Sequence, residues 1–203
     1  MYRINVSGGK DHFSQRNNEI DPHNACQVTS MVMAASYIPR LWEAFERSPY
    51  FGQYSSFPQP EDRFHQAMLD WRMDPTVHGN LMAGFNKWVG FSADFFSTTV
   101  PLSQLIDDLR KGLPVVMSGT FPGYPEPLKI PYGHVVCLVG AEWENENDVY
   151  DPPSHWIIND PYGDTMNNWK GSGSGVAIPH ALFNEWMKVC GDMGMKWAHR
   201  FKI

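Results

Sequence analysis

The sequence predicts an α+β fold, a helical half followed by a half built on antiparallel sheet. Three observations carry this expectation. Segments with apolar residues near helical spacing fill most of the first 112 residues. Beyond them come short strand candidates bounded by Gly and Pro. Among these, His134-Val-Val-Cys-Leu-Val-Gly140 is apolar on both faces, as a central strand is. Helices first and strands second is the order of a helical layer packed on a sheet. With no internal repeat and no linker, residues 1–203 are expected to form a single domain, its helical half about 1–112 and its sheet half about 113–203.

The elements follow in order. Residues 2–6 alternate apolar and polar and read as a short strand. A polar stretch, Ser7 to Asn24, ends in Asp21-Pro22-His23-Asn24, a turn that offers Asn24 as a helix cap. From Cys26 to Tyr37 there is no Gly or Pro, and Val, Met and Ala dominate, which predicts a buried helix stopped by Pro39. Helices are expected over 40–48, 60–72 and 80–88, with an irregular aromatic loop from Pro49 to Pro60. Leu102, Leu105, Ile106 and Leu109 mark one face of an amphipathic helix that Gly112 ends. Pro114 to Ser118 reads as a strand, Thr120 to Gly133 as a loop, and 155–160 as a strand broken by Pro161. The glycine-rich stretch Gly171 to Gly175 is expected to be mobile. A short strand, a helix over 179–189 and a strand over 196–202 close the chain.

Composition limits the function. A hydrophobic share of 42% with 14% aromatic residues is enough for a core and unlike a disordered chain. A net charge of -6 argues against nucleic acid or an anionic membrane as the main partner. No apolar run is long enough to span a bilayer, so no integral membrane segment is expected. The N-terminus lacks the apolar run of a signal peptide, which predicts synthesis in the cytoplasm. Cys26, Cys137 and Cys190 are too few and too scattered for a disulfide framework or a structural zinc site. The histidines show no metal-binding spacing, so no metal or other cofactor is expected. Gly171-Ser-Gly-Ser-Gly175 fits neither a dinucleotide fingerprint nor a nucleophile elbow.

Three residue types point to nucleophilic catalysis. Cys26 opens the buried helix, where free N–H groups and the helix dipole stabilise a thiolate. His134 opens the apolar strand and needs a polar partner. Asn159 and Asp160 end the next strand candidate and, being adjacent, face opposite ways, so only one of them can reach His134. Each has an ordinary structural explanation alone: a small buried thiol, a satisfied core histidine, an Asp-Pro turn. Together they supply a thiol, an imidazole to take its proton and a group to fix the imidazole. Aromatic residues in loops (Tyr50, Phe51 and Tyr54; Tyr124 and Tyr132; Tyr162 and Trp169) could floor a groove for peptide or sugar, or simply pack at a rim.

Gln15, Cys26-Gln-Val-Thr-Ser30-Met31, Gly133-His134-Val-Val136 and Asn159-Asp160-Pro161-Tyr-Gly163 together resemble the papain-like cysteine peptidases of the bacteriocin-leader, double-glycine type. The likeness is nearest to their stand-alone branch, found among bacterial and phage proteins. It spans roughly residues 10 to 190, and its most specific part is Ser14–Glu19 followed by Asn24–Ser30. The resemblance implies a papain-like fold with Cys26 as nucleophile, His134 as general base, Asp160 as the orienting acid and Gln15 as the oxyanion-hole glutamine. It departs at one point: many relatives have Gly-Pro after the cysteine, and this chain has Gln27-Val28. The function it implies is thiol-dependent hydrolysis of peptide bonds, with cell-wall peptidoglycan as the expected substrate and release to the wall on lysis. An intracellular processing protease, an acyltransferase or deamidase of the same fold, and an inactive binding or inhibitor module are the alternatives.

Overall fold

The structure is a computed structural model that describes residues 1–9, 12–121, 132–148, 151–187 and 195–202. It is a mixed fold of helices and antiparallel sheet. Strand β1 (Tyr2–Asn5) leads into a single 3-10 turn, Gln15–Asn17, whose Arg16 N–H is met by the Ser14 hydroxyl. Helix α1 (Cys26–Ser36) follows, and every residue in it except Gln27 is buried. A helix apolar all round belongs inside a core. Helices α2 (Pro39–Glu46), α3 (Pro49–Gln53), α4 (Pro60–Asp70) and α5 (His78–Val89) then wrap it. The first three each start with proline, whose missing N–H costs nothing in the first turn. Aromatic rings knit this layer: Phe45 stacks on Trp42, Phe85 and Trp88 at centroid distances of 5.5, 6.3 and 5.0 Å.

Strand β2 (Asp94–Pro101), helix α6 (Leu102–Arg110), and strands β3 (Val115–Phe121), β4 (Tyr132–Trp143), β5 (His155–Asn159) and β6 (Val176–Pro179) come next. Helix α7 (His180–Trp186) and strand β7 (Met195–Phe201) complete the described chain. Among the described residues the strands form one sheet in the order β2-β7-β3-β4-β5-β6, with β1 added to β4, and every pairing is antiparallel. Side-chain alternation divides the core. Val116, Val135, Cys137 and Ile157 face the α1–α5 layer. Met117, Val136, Leu138, Trp156 and Ile158 face the opposite way, with Leu105 of α6 and Phe183 of α7. Helix α1 is fixed over β4 by the Ser30 hydroxyl, which donates to the Val135 carbonyl at 2.9 Å. Cys26 is one turn before Ser30, so this bond sets the start of α1 at the His134 end of β4.

Several expectations need correction. Strand β2 occupies a stretch with no periodic signal in the sequence, because a bulge between Ser97 and Val100 breaks its alternation. The segment expected as an irregular loop contains α3, started by Ser48 and Pro49. Strand β3 runs on to Phe121, into the segment expected as a loop, while residues 122–131 of that loop lie outside the described residues. So do Cys190 and the end of the helix expected over 179–189. Asn24 does not cap α1. The N-cap is Ala25, which makes no side-chain cap bond, and Asn24 instead donates to the Asp21 carboxylate.

Candidate active site

The site forms where the start of α1 meets β4 and the segment after β5. His134 is 1% exposed and Asp160 is fully buried, and His134 Nε2 lies 2.8 Å from Asp160 Oδ1. With Nε2 on the carboxylate, the other ring nitrogen is left for the Cys26 sulfur, which hydrogen-bonds to the same imidazole. Burial alone pushes the imidazole down. The charge and hydrogen bond of Asp160, joined by the contact with Cys26, more than reverse this and raise His134 to about 10. A proton placed on this imidazole therefore stays there through the neutral range. Cys26 is 5% exposed and sits in the first turn of α1, whose leading N–H groups have no partner within the helix.

Asp160 is held from several sides. Its Oδ1 also accepts from the Tyr162 N–H at 2.9 Å, its N–H donates to the Gly173 carbonyl at 2.8 Å, and His12 Nε2 lies 2.7 Å from its carbonyl oxygen. Its Oδ2 is buried with no hydrogen-bond partner among the described residues. Gly173 explains the glycine-rich stretch. A Cβ there would collide with the Asp160 carbonyl oxygen, so the loop that looks mobile in sequence is seated on the Asp160 backbone. Asn159 faces the other way: its Nδ2 donates to the Tyr37 hydroxyl at 2.7 Å, and its Oδ1 accepts from Gly175 N–H at 2.8 Å.

Three further residues, Phe121, Trp169 and Arg16, shape the surroundings of the pair. Phe121 and Trp169 stand edge-on to the His134 ring, at 5.1 and 5.2 Å, and wall it from two sides. Trp169 reaches this place because Asn168 and Trp169 are both left-handed, with φ of 54° and 64°. Arg16 clasps the same loop, donating to the Trp169 carbonyl at 2.8 Å and lying 4.2 Å from the centre of the Tyr162 ring.

Gln15 is 1% exposed, and its amide nitrogen donates to the carbonyls of Pro22 at 2.9 Å and His23 at 3.3 Å. It thus braces the turn leading to Cys26, while its Oε1 is buried without a partner among the described residues. The other aromatic loop residues are elsewhere. Tyr50 and Tyr54 pack on Trp88, and Phe51 packs on Phe45, joining the aromatic layer of the helical half. Tyr124 and the Tyr132 side chain lie outside the described residues. Cys137 is fully buried in mid-sheet, and burial pushes its thiol up. Among the described residues, no group of three or more His, Cys, Asp or Glu could hold a metal ion, and no helix is long and apolar enough to cross a membrane.

The sequence model of the Peptidase C39-like family matches residues 10–175, and the chain belongs to that family. The fold is similar to that of a solved protein from Bacillus anthracis described as C39-like peptidase, with a TM-score of 0.57 and 16% identity over 100% of this chain and 98% of that chain. At that identity the likeness bears on fold alone. No curated protein matches the sequence. Family and fold are thus those of C39-like cysteine peptidases.

Proposed function

We propose that this C39-like chain is an active cysteine peptidase with Cys26 as nucleophile, His134 as acid and base, and Asp160 holding His134. The observation that carries the reading is the buried 2.8 Å contact of His134 with Asp160, with Cys26 on the other side of the ring. Cys26 gives its thiol proton to His134, and the sulfur attacks the scissile carbonyl carbon. The resulting oxyanion is met by the Cys26 backbone N–H and by Gln15, whose longer bond to His23 is exchanged for the oxyanion. The C–N bond then breaks as His134 protonates the leaving amine. Water, deprotonated by His134, hydrolyses the thioester and returns the thiol. No cofactor enters any step.

The substrate we assign is the peptide of bacterial cell-wall peptidoglycan, met once lysis brings enzyme and wall together. Its support is the resemblance to the stand-alone branch of the family, a likeness of sequence blocks and not of any substrate groove. The test is incubation with purified peptidoglycan of several cross-link types, counting new amino termini and weighing released fragments. Wild-type protein should release fragments, and Cys26→Ala should release none while keeping its fold. Cleavage of soluble peptides without wall release would refute the wall assignment and keep the peptidase. Equal activity in Cys26→Ala would remove the nucleophile.

A further inference from the structure

The residue after the cysteine has a contact of its own with the sulfur. Gln27 Oε1 lies 3.2 Å from Cys26 Sγ. Gln27 is also the one residue of α1 that is not buried, so its carboxamide sits beside the sulfur at the open end of the helix. Resting on the nucleophile assignment above, we infer that Gln27 is a further catalytic residue. It accepts from the Cys26 thiol and, after a half-turn of its amide, donates to the Cys26 thiolate.

The chemistry follows from the two ends of the amide. Oε1 can only accept, and Nε2 can only donate. In the resting contact Oε1 faces the thiol, whose single proton turns either to this oxygen or to the imidazole. When the thiol proton passes to His134, the sulfur carries a negative charge, and a carbonyl oxygen 3.2 Å away would repel it. Rotation about the last side-chain torsion is soft and roughly two-fold, and exchanges Oε1 for Nε2 at nearly the same point. The N–H then donates to the sulfur, and a hydrogen bond to the charged form favours that form. His134 and Gln27 thus flank one sulfur, the imidazolium by charge and the amide by a bond whose direction follows the proton.

The experiment measures the rate of Cys26 alkylation by iodoacetamide across pH 4 to 9, with the modified peptide identified by mass, in wild type, Gln27→Leu and Gln27→Glu. Leu keeps the bulk and removes both polar ends, while Glu keeps the acceptor and removes the donor. The acid-side rise in rate should move to higher pH by about one unit in Gln27→Leu, a tenfold lower rate on the rise. It should move further in Gln27→Glu, where a carboxylate faces the thiolate. Circular dichroism checks that both variants fold, as a half-exposed first-turn residue allows. An unmoved rise in both variants overturns the inference. An equal shift in both also overturns it, since altered packing would not distinguish Leu from Glu. If wild-type Cys26 alkylates only like an ordinary thiol, the nucleophile assignment falls and this inference falls with it. That result is read on the wild type alone.

Discussion

Asp160→Asn separates the charge of the third group from its geometry. The substituted side chain keeps an Oδ1 that can accept from His134 Nε2–H and from the Tyr162 N–H, the two contacts that Asp160 Oδ1 makes at 2.8 and 2.9 Å. Only the negative charge is lost. An opposite charge at this range is worth about 1–3 pH units, or about 1.4–4 kcal/mol of imidazolium stabilisation. His134 stands at about 10 with burial pulling it down, so the variant should titrate about 1–3 units lower, near 7–9. The assay is an NMR titration of 15N-histidine-labelled protein, with His134→Gln assigning the resonance, so no substrate is needed. Stability gives a second readout with a fixed sign. His134 is raised in the folded state, so its contribution is complete below about 6.5, the unfolded value, and is lost as pH rises through about 10. Wild-type stability should therefore fall between those limits, and the fall should be smaller in Asp160→Asn. An imidazole that still titrates near 10 in the Asn variant would refute the assignment of Asp160 as the cause.

Gln15→Ala should lower kcat by about 10²–10³ with a smaller effect on KM, the range for one lost oxyanion donor; a loss of stability with kcat intact would leave Gln15 as a brace of the Pro22–His23 turn and nothing more. Gly173→Ala forces a Cβ against the Asp160 carbonyl oxygen, so it should cut activity at least tenfold by displacing the backbone that aims Asp160, and unchanged kcat would show that this loop does not hold the carboxylate. Glu61 is fully buried and raised to about 7, chiefly by burial, so the folded protein holds a proton that the unfolded chain has lost above about 4.5. Stability should accordingly fall as pH rises from about 4.5 to 7, and Glu61→Gln should raise Tm at pH 8 by a few degrees with little change at pH 5; equal melting curves at both pH values would contradict a protonated Glu61.

The fold was legible wherever one residue pattern faced one environment. Helix α1 is buried nearly all round, and its unbroken run of Val, Met and Ala says so. Strand β4 is covered on both faces, and its apolar run says that too. Legibility failed where pattern and environment part. Strand β2 lies at the end of the strand order and carries a bulge, so its side chains neither alternate cleanly nor run continuously apolar. Helix α3 has five residues, too few to show a period, and only its Ser48-Pro49 start marks it.

The candidate site divides along the same line, between what local geometry fixes and what loop paths fix. That Asn159 and Asp160 must face opposite ways follows from the strand pleat, which leaves one of them for His134. In the structure Asn159 bonds to Tyr37 and Gly175, and Asp160 bonds to His134. Where Gln15 points could not follow in this way. Its place before α1 is set by sequence, but its amide direction depends on the Pro22 and His23 carbonyls, which the turn presents. The same holds for the wall around the imidazole. Trp169 comes to His134 only through two successive left-handed residues, Asn168 and Trp169 itself, neither of which is a glycine that would advertise the bend. Arg16 reaches that loop from 153 residues away along the chain. A chain-order motif can nominate the groups that react. The groups that exclude water and hold them in line are drawn from several loops, and only the assembled fold brings those loops to one place.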